Sequence, residues 1–104
     1  MVKDASPPAQ YYVVFMTTKF KSMAEVQGAA PAELAAHLAR SKQLHEAGVL
    51  LMAGAFLDHP EQPVQTMGVL ASREAAEDYA RHDPFLEGGM VSDHTIREWT
   101  NMFA

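Results

Sequence analysis

Five histidines, at positions 37, 45, 59, 82 and 94, are the side chains of this sequence best suited to acid–base chemistry. An imidazole exchanges protons near neutral pH and is a common general base or metal ligand. No two of the five have the i, i+4 or His-x-His spacing of common metal sites, and the chain contains no cysteine. Glycine patterns that cradle nucleotides and a Gly-x-Ser-x-Gly nucleophile motif are also missing. We therefore predict neither a metal site nor a cofactor.

His37 is the strongest candidate because of its place in a helical pattern. The helix face predicted to meet the rest of the domain comprises Leu34, His37, Leu38, Ser41, Leu44, His45 and Gly48. A histidine satisfied by a backbone carbonyl inside the core is the simpler interpretation, and a general base is the functional one. His45 lies near the helix end, where a cation favours the helix dipole, so a capping role is at least as plausible.

Asp83 is the acidic partner that the sequence suggests for His37. It stands directly before Pro84, which suits it to the N-cap of a short helical turn. Its functional interpretation is that the carboxylate orients the imidazole or accepts its proton. The 46-residue separation does not by itself bring the two side chains together, so the N-cap role remains a complete alternative.

The elements that must position these residues follow from composition and from turn residues. Strands are predicted at 11–16, 49–57, 64–72 and 91–99, helices at 31–47 and 73–82, and a loop or frayed turn at 19–30. Pro31 is placed as a first helical residue, Ser72 as an N-cap, and residues 58–63 as the turn of a β-hairpin. The order β-α-β-β-α-β predicts an α+β, ferredoxin-like fold, an antiparallel sheet with both helices on one face.

The predicted strands are apolar on both faces, which indicates a second subunit. In the predicted strand 11–16, the side chains on one face are Tyr11, Val13 and Phe15, and those on the other face are equally apolar. Two helices can cover only one face of the sheet, so we predict a homodimer through the other face, enclosing a chamber that contains His37 and Asp83. The alternative is a single chain whose N-terminal residues and 19–30 loop fill the second face.

Five further residues are predicted to contact a substrate: Ser41, Met52, Phe56, Phe85 and Trp99. Ser41 lies on the helix face that carries His37. Methionines and aromatic residues of this kind are more often ordinary core than a substrate box, although Met52, with Met67 and Met90, would give an adaptable apolar lining.

Composition bounds the remaining possibilities. With 104 residues, the chain should form one domain, 11–104, after a flexible tail at 1–10. The net charge of −5, with eight scattered Lys and Arg, disfavours nucleic-acid binding. The apolar run 49–57 is too short to span a bilayer, and the N-terminus does not resemble a signal peptide. These features, with the absence of cysteine, predict a soluble cytoplasmic protein.

Two segments resemble the YciI-like (YCII-related) family: AAHLARSKQLHEAGVLLMAGAF at 35–56 and HDPFLEGGMVSDHTIREW at 82–99. The matching positions are His37, Leu38, Leu44, Gly48, Gly54, Asp83, Pro84, Phe85 and Gly89. The resemblance implies a dimeric α+β barrel and a proposed active-site pair, which falls on His37 and Asp83. Leu34 and Ala55 stand where family members often carry arginine and proline, so an arginine clamp for an anionic substrate does not carry over.

The resemblance implies small-molecule chemistry of the lyase or isomerase type, since understood family members look like enzymes acting on small cyclic compounds. Our leading hypothesis is a cofactor-independent enzyme in which His37 moves a proton while Asp83 fixes the imidazole. One alternative is a cofactorless oxygenase or cyclase of a biosynthetic pathway, in which Trp99 and the tyrosines would matter more. Another is a non-catalytic module that binds a metabolite or docks on a partner enzyme.

Overall fold

A four-stranded sheet and four helices make up residues 10–103, the part of the chain that the computed structural model describes. In chain order the elements are β1 (Gln10–Thr18), α1 (Met23–Ala29), α2 (Pro31–Glu46), β2 (Leu50–Phe56), β3 (Gln65–Leu70), α3 (Arg73–Arg81), α4 (Pro84–Glu87) and β4 (Val91–Thr100). The predicted tail at 1–10 lies outside the described residues except for Gln10, which begins β1.

The sheet has the order β2-β3-β1-β4, and every neighbouring pair is antiparallel. This is the arrangement of a ferredoxin-like βαββαβ domain, and it confirms the predicted fold class. Strands β2 and β3 form the predicted hairpin, while α2 and α3 cross over the same face to connect β1 with β2 and β3 with β4. Among the described residues, no helix has both the length and the apolar character that crossing a bilayer requires.

The alternation of side chains along β1 separates the two faces of the sheet. Val14 and Met16 point to the helices and are 1% and 2% exposed, within a core cluster that includes Leu50, Leu70 and Tyr79. Residues of the opposite parity form the outer face, which no helix covers. The outer face comprises Tyr11, Val13, Phe15, Met52, Met67, Val69 and Trp99, as the strand register shows.

Capping residues explain where α3 and α4 begin and where α2 ends. The Ser72 hydroxyl accepts a hydrogen bond from the Ala75 N–H, as expected for the N-cap that begins α3. Asp83 caps the short helix α4 in the same way, with Pro84 at its first position. Gly48 has φ +77°, a left-handed conformation that ends the turn after α2 and that glycine adopts without steric cost.

The interpretation of 19–30 as a loop was wrong, because α1 occupies most of it. Ser22 accepts a hydrogen bond from the Glu25 N–H, and the Glu25 carboxylate reaches back to the Lys21 N–H. This is close to a capping box, a signal present in the sequence as Ser-x-x-Glu. Val26 on this short helix is 2% exposed and packs with Ala30 and Phe85 in a second core cluster. Tertiary burial therefore stabilises a helix whose own residues show little periodicity.

Candidate active site

His37, in the first half of α2, meets Asp83, the N-cap residue of α4. The imidazole Nδ1 lies 2.5 Å from the Asp83 Oδ1, and the two side chains are 14% and 1% exposed. A carboxylate only accepts hydrogen bonds, so the neutral His37 ring carries its proton on Nδ1 and donates a hydrogen bond from there to Asp83. The Phe85 ring lies against the imidazole, with ring centroids 5.1 Å apart, and holds its plane.

Asp83 caps α4 with one carboxylate oxygen and accepts a hydrogen bond from His37 with the other. Its Oδ2 accepts the Phe85 N–H at 3.0 Å, which is the N-cap bond of α4, while Oδ1 faces His37. The two interpretations that the sequence left open for Asp83 are therefore compatible. A buried carboxylate with both oxygens occupied holds the imidazole in one orientation and one tautomer.

The second ring nitrogen of His37, Nε2, is available to a ligand. No partner for it occurs among residues 10–103, and within that range every buried side-chain nitrogen or oxygen has a hydrogen-bond partner. Nε2 must therefore be accessible. With Nδ1 protonated, a neutral imidazole presents the lone pair of Nε2 and can accept a proton.

A cavity of about 190 Å³, lined in part by His37, lies between α2 and the sheet. Its lining is mostly apolar, with Leu34, Leu38 and Val64 among the contributors, and the polar groups are few. No residue of α2 is fully buried, since the cavity takes the place of tight packing between this helix and the sheet. An engineered cavity of about 150 Å³ holds benzene, so this one has room for a single substituted ring.

The structure divides the residues predicted to contact a substrate. Ser41 and Phe85 line the cavity with His37. Met52 and Trp99 lie on the outer face, around a shallow depression of about 470 Å³, and Phe56 lies at the β2 edge of that face. His37 and Asp83 lie on the helix side of the sheet, whereas Met52 and Trp99 lie on the outer face; Met67 contributes to both concavities. A chamber formed by a second subunit over the outer face would therefore not contain the histidine.

Tyr79 of α3 also lines the cavity, and the sequence analysis did not identify it. Burial raises the pKa of the Tyr79 hydroxyl above its usual value of 10.0, and the negative charge of Asp83 raises it further. Ser41 and Arg40 oppose this rise in part. A signal was available: Tyr79 follows Ala76 by three residues on the buried stripe of its helix and precedes Asp83 by four.

The remaining histidines take structural or exposed positions. His45 Nδ1 lies 2.8 Å from the Leu50 carbonyl oxygen, so its ring joins the end of α2 to β2. His59 and His82 are exposed and lie beside Asp58 and Asp78, each at 3.6 Å. Within the described range, no three His, Asp or Glu side chains cluster as metal ligands would.

Three comparisons relate this chain to known proteins. The model of the YCII-related domain matches residues 11–100. A search of curated proteins found no match. The fold is similar to that of 5-chloro-2-hydroxyhydroquinone dehydrochlorinase from Burkholderia phenoliruptrix in complex with 2,5-dihydroxybenzoquinone, with a TM-score of 0.64 at 14% identity over 88% of this chain and 94% of the other.

Two further solved structures share the fold. Rv0793 from Mycobacterium tuberculosis has a TM-score of 0.56 at 10% identity and covers 91% of this chain and 97% of its own. A putative antibiotic biosynthesis monooxygenase from Bacteroides thetaiotaomicron has a TM-score of 0.51 at 18% identity, with 90% of each chain covered. At these identities the likeness concerns the fold, whereas the family match spans most of the sequence: the chain belongs to the YCII-related family.

Proposed function

We propose that this chain is a cofactor-independent enzyme of the lyase or isomerase type that transfers a proton on a small, mostly apolar cyclic substrate. The observation that carries the proposal is the 2.5 Å contact between His37 Nδ1 and Asp83 Oδ1 beside a ring-sized cavity, with Nε2 accessible. An oriented imidazole next to an apolar cavity is the arrangement that general base catalysis requires.

In the proposed step, His37 Nε2 takes a proton from a carbon of the bound ring. The C–H electron pair moves into the ring system, and either a leaving group departs from the neighbouring carbon or the proton returns elsewhere. The first outcome is elimination and the second isomerisation. Asp83 stabilises the imidazolium that forms, since its charge lies against Nδ1 and the carboxylate is itself buried.

The cavity favours an uncharged or weakly charged substrate. Its lining, drawn from the described residues, includes no Lys or Arg, and Leu34 contributes apolar surface where an arginine clamp would have stood. The structural neighbour from Burkholderia is named as a dehydrochlorinase and was solved with a dihydroxylated quinone. A hydroxylated or oxo-substituted single ring is consistent with both the volume and the few polar groups.

We further propose that the outer face pairs with a second copy of the chain. Met52 and Trp99 on this face are 62% and 51% exposed, although the neighbouring Val13 and Val69 are buried. A contiguous apolar face of this kind is unusual on a monomer. A two-fold related copy would bury the same side chains on both subunits, on the side of the sheet opposite to His37.

The oxygenase or cyclase alternative has less support from this geometry. That alternative depends on Trp99 and the tyrosines, but the Trp99 ring lies against Tyr11 on the outer face, with centroids 5.8 Å apart. The binding-module alternative requires only the cavity. It differs from the enzyme in one measurable respect, which is turnover.

The test compares His37→Ala with His59→Ala, an exposed turn histidine, on a panel of single-ring ketones and hydroxylated aromatics. Proton transfer is followed as deuterium incorporation from D₂O, and elimination as chloride release from 5-chloro-2-hydroxyhydroquinone. We expect loss of turnover in His37→Ala alone, with ring binding retained. A substrate turned over equally by wild type and His37→Ala would refute the proposed base, and binding without turnover across the panel would favour the binding module.

A further inference from the structure

Two hydroxyl groups, those of Tyr79 and Ser41, lie together in the lining of the cavity. Tyr79 is 4% exposed and Ser41 is half-buried. The hydrogen bond between the Ser41 and Tyr79 side chains lowers the Tyr79 pKa, so the Ser41 hydroxyl donates and the Tyr79 oxygen accepts. The proton of the Tyr79 hydroxyl is left for a ligand in the cavity, since no protein acceptor for it occurs among residues 10–103.

Two neighbours hold the ring of Tyr79. Gly68 of β3 leaves room for close approach: a Cβ at that position would lie 3.1 Å from the ring Cε2. The Arg40 guanidinium lies 5.6 Å from the ring centroid and donates to the backbone carbonyls of Tyr79 and Asp78, at 2.9 and 3.1 Å. A donor fixed in this way needs little reorganisation to meet a ligand.

Tyr79 is suited to donate a hydrogen bond without releasing its proton. The hydroxyl is neutral at physiological pH, and burial and the Asp83 charge raise its pKa further above the usual 10.0. Tyr79 and His37 line the same cavity, so the hydroxyl and the base face one ligand. A neutral donor in an apolar cavity stabilises a developing oxyanion more strongly than the same group does in water.

We infer that Tyr79, assisted by Ser41, binds a carbonyl or enolate oxygen of the substrate. The inference rests on the proposed function and narrows its substrate class to a single ring with an oxo or enolisable hydroxyl group near the carbon that loses its proton. When His37 Nε2 takes that proton, the C–H electron pair delocalises onto the ring oxygen, which accepts a hydrogen bond from Tyr79 Oη. No proton leaves Tyr79, and no co-reactant is needed.

The experiment uses two ligands of nearly equal shape, cyclohexanone and methylenecyclohexane, titrated into the full-length protein by NMR. Only the ketone has an oxygen that accepts a hydrogen bond. We expect wild type to prefer the ketone, and Tyr79→Phe to lose about tenfold in that preference while its affinity for the hydrocarbon is unchanged. Tyr12→Phe is the matched control, since Tyr12 packs against the core and Arg73 but does not line the cavity. Ser41→Ala should reduce the preference by a smaller factor.

The outcome is separable from that of the proposed function. No preference in wild type, or an equal preference in wild type and Tyr79→Phe, overturns the oxygen-binding role even if His37→Ala abolishes turnover. Conversely, a preference lost in Tyr79→Phe but kept in Tyr12→Phe, together with turnover that survives in His37→Ala, supports this role and refutes the proposed base. A fall in hydrocarbon affinity in Tyr79→Phe would show a purely structural role for the ring.

Discussion

Replacing Asp83 by asparagine should separate the stability of the fold from the chemistry of the site. Asp83 gives Oδ2 to the Phe85 N–H and Oδ1 to His37 Nδ1–H. Asparagine has a single oxygen and is itself a good N-cap, so we expect that oxygen to keep the bond to Phe85. The amide NH₂ then faces His37 Nδ1, which can pair with it only as an acceptor. The imidazole must move its proton to Nε2, the nitrogen proposed to act as the base.

The cost in stability should be modest. A hydrogen bond to a charged group contributes about 1.5–3 kcal/mol and a neutral one about 0.5–1.5 kcal/mol, so two weakened bonds lose on the order of 2–3 kcal/mol. Asp83 is 1% exposed, and removing its charge returns part of this by relieving the desolvation of a buried carboxylate. We therefore expect a net loss of about 1–2 kcal/mol in the free energy of unfolding.

The cost in activity should be far larger. In serine proteases, the corresponding substitution of the triad aspartate lowers turnover by about 10⁴ because the histidine takes the wrong tautomer. That factor corresponds to about 5.5 kcal/mol, well above the expected change in stability. His37→Ala should instead destabilise the fold more than Asp83→Asn does, since it leaves a buried carboxylate without its partner.

Nitrogen-15 NMR of the histidine rings measures the tautomer directly, and urea unfolding measures the stability. We expect the His37 proton on Nδ1 in wild type and on Nε2 in Asp83→Asn. Asp78→Asn, on the exposed side of α3, is the matched control and should change neither. If Asp83→Asn keeps the proton on Nδ1, or retains full turnover with the proton on Nε2, the reasoning from hydrogen-bond geometry to the base is refuted.

Three further predictions concern other parts of the structure. Gly68→Ala should destabilise the fold by about 1–3 kcal/mol in urea unfolding, because the added Cβ would press on the Tyr79 ring. Gly54→Ala is the control and should change stability little, since a Cβ there has no neighbour within 4 Å. Equal effects of the two substitutions would contradict the close approach of Gly68 to Tyr79. Trp99→Glu should shift sedimentation toward monomer while exposed Lys42→Glu does not, and a wild-type monomer at all concentrations would exclude the pairing of outer faces. The free energy of unfolding should fall as pH rises above 10.0, the usual tyrosine pKa, because the raised Tyr79 pKa lets the folded chain bind more protons there than the unfolded chain does. Tyr79→Phe should lose less stability over this range. An identical pH dependence in the two proteins would show that Tyr79 does not contribute.

The sequence by itself determined the fold class, and local signals explain why. Pro31, Ser72 and the Asp83-Pro84 pair each mark a helix start through the backbone chemistry of a single turn, and all three helices begin there. Apolar strands separated by turn residues then allow few arrangements other than βαββαβ. The sequence also selected His37 and Asp83, through the helix face of one, the proline after the other, and the family resemblance.

Tertiary structure decided which of the candidate residues share a site. The alternation of side chains along a strand shows that a sheet has two faces, but not which face the helices cover. Met52 and Trp99 were therefore predicted to share a site with His37, and only the placement of β2 and β4 shows that they lie on the outer face. The same holds for α1, whose stability comes from burying Val26, and for Tyr79, whose hydroxyl reaches the cavity only because Gly68 admits its ring. Contacts between residues far apart in the chain depend on packing, and packing is absent from local patterns.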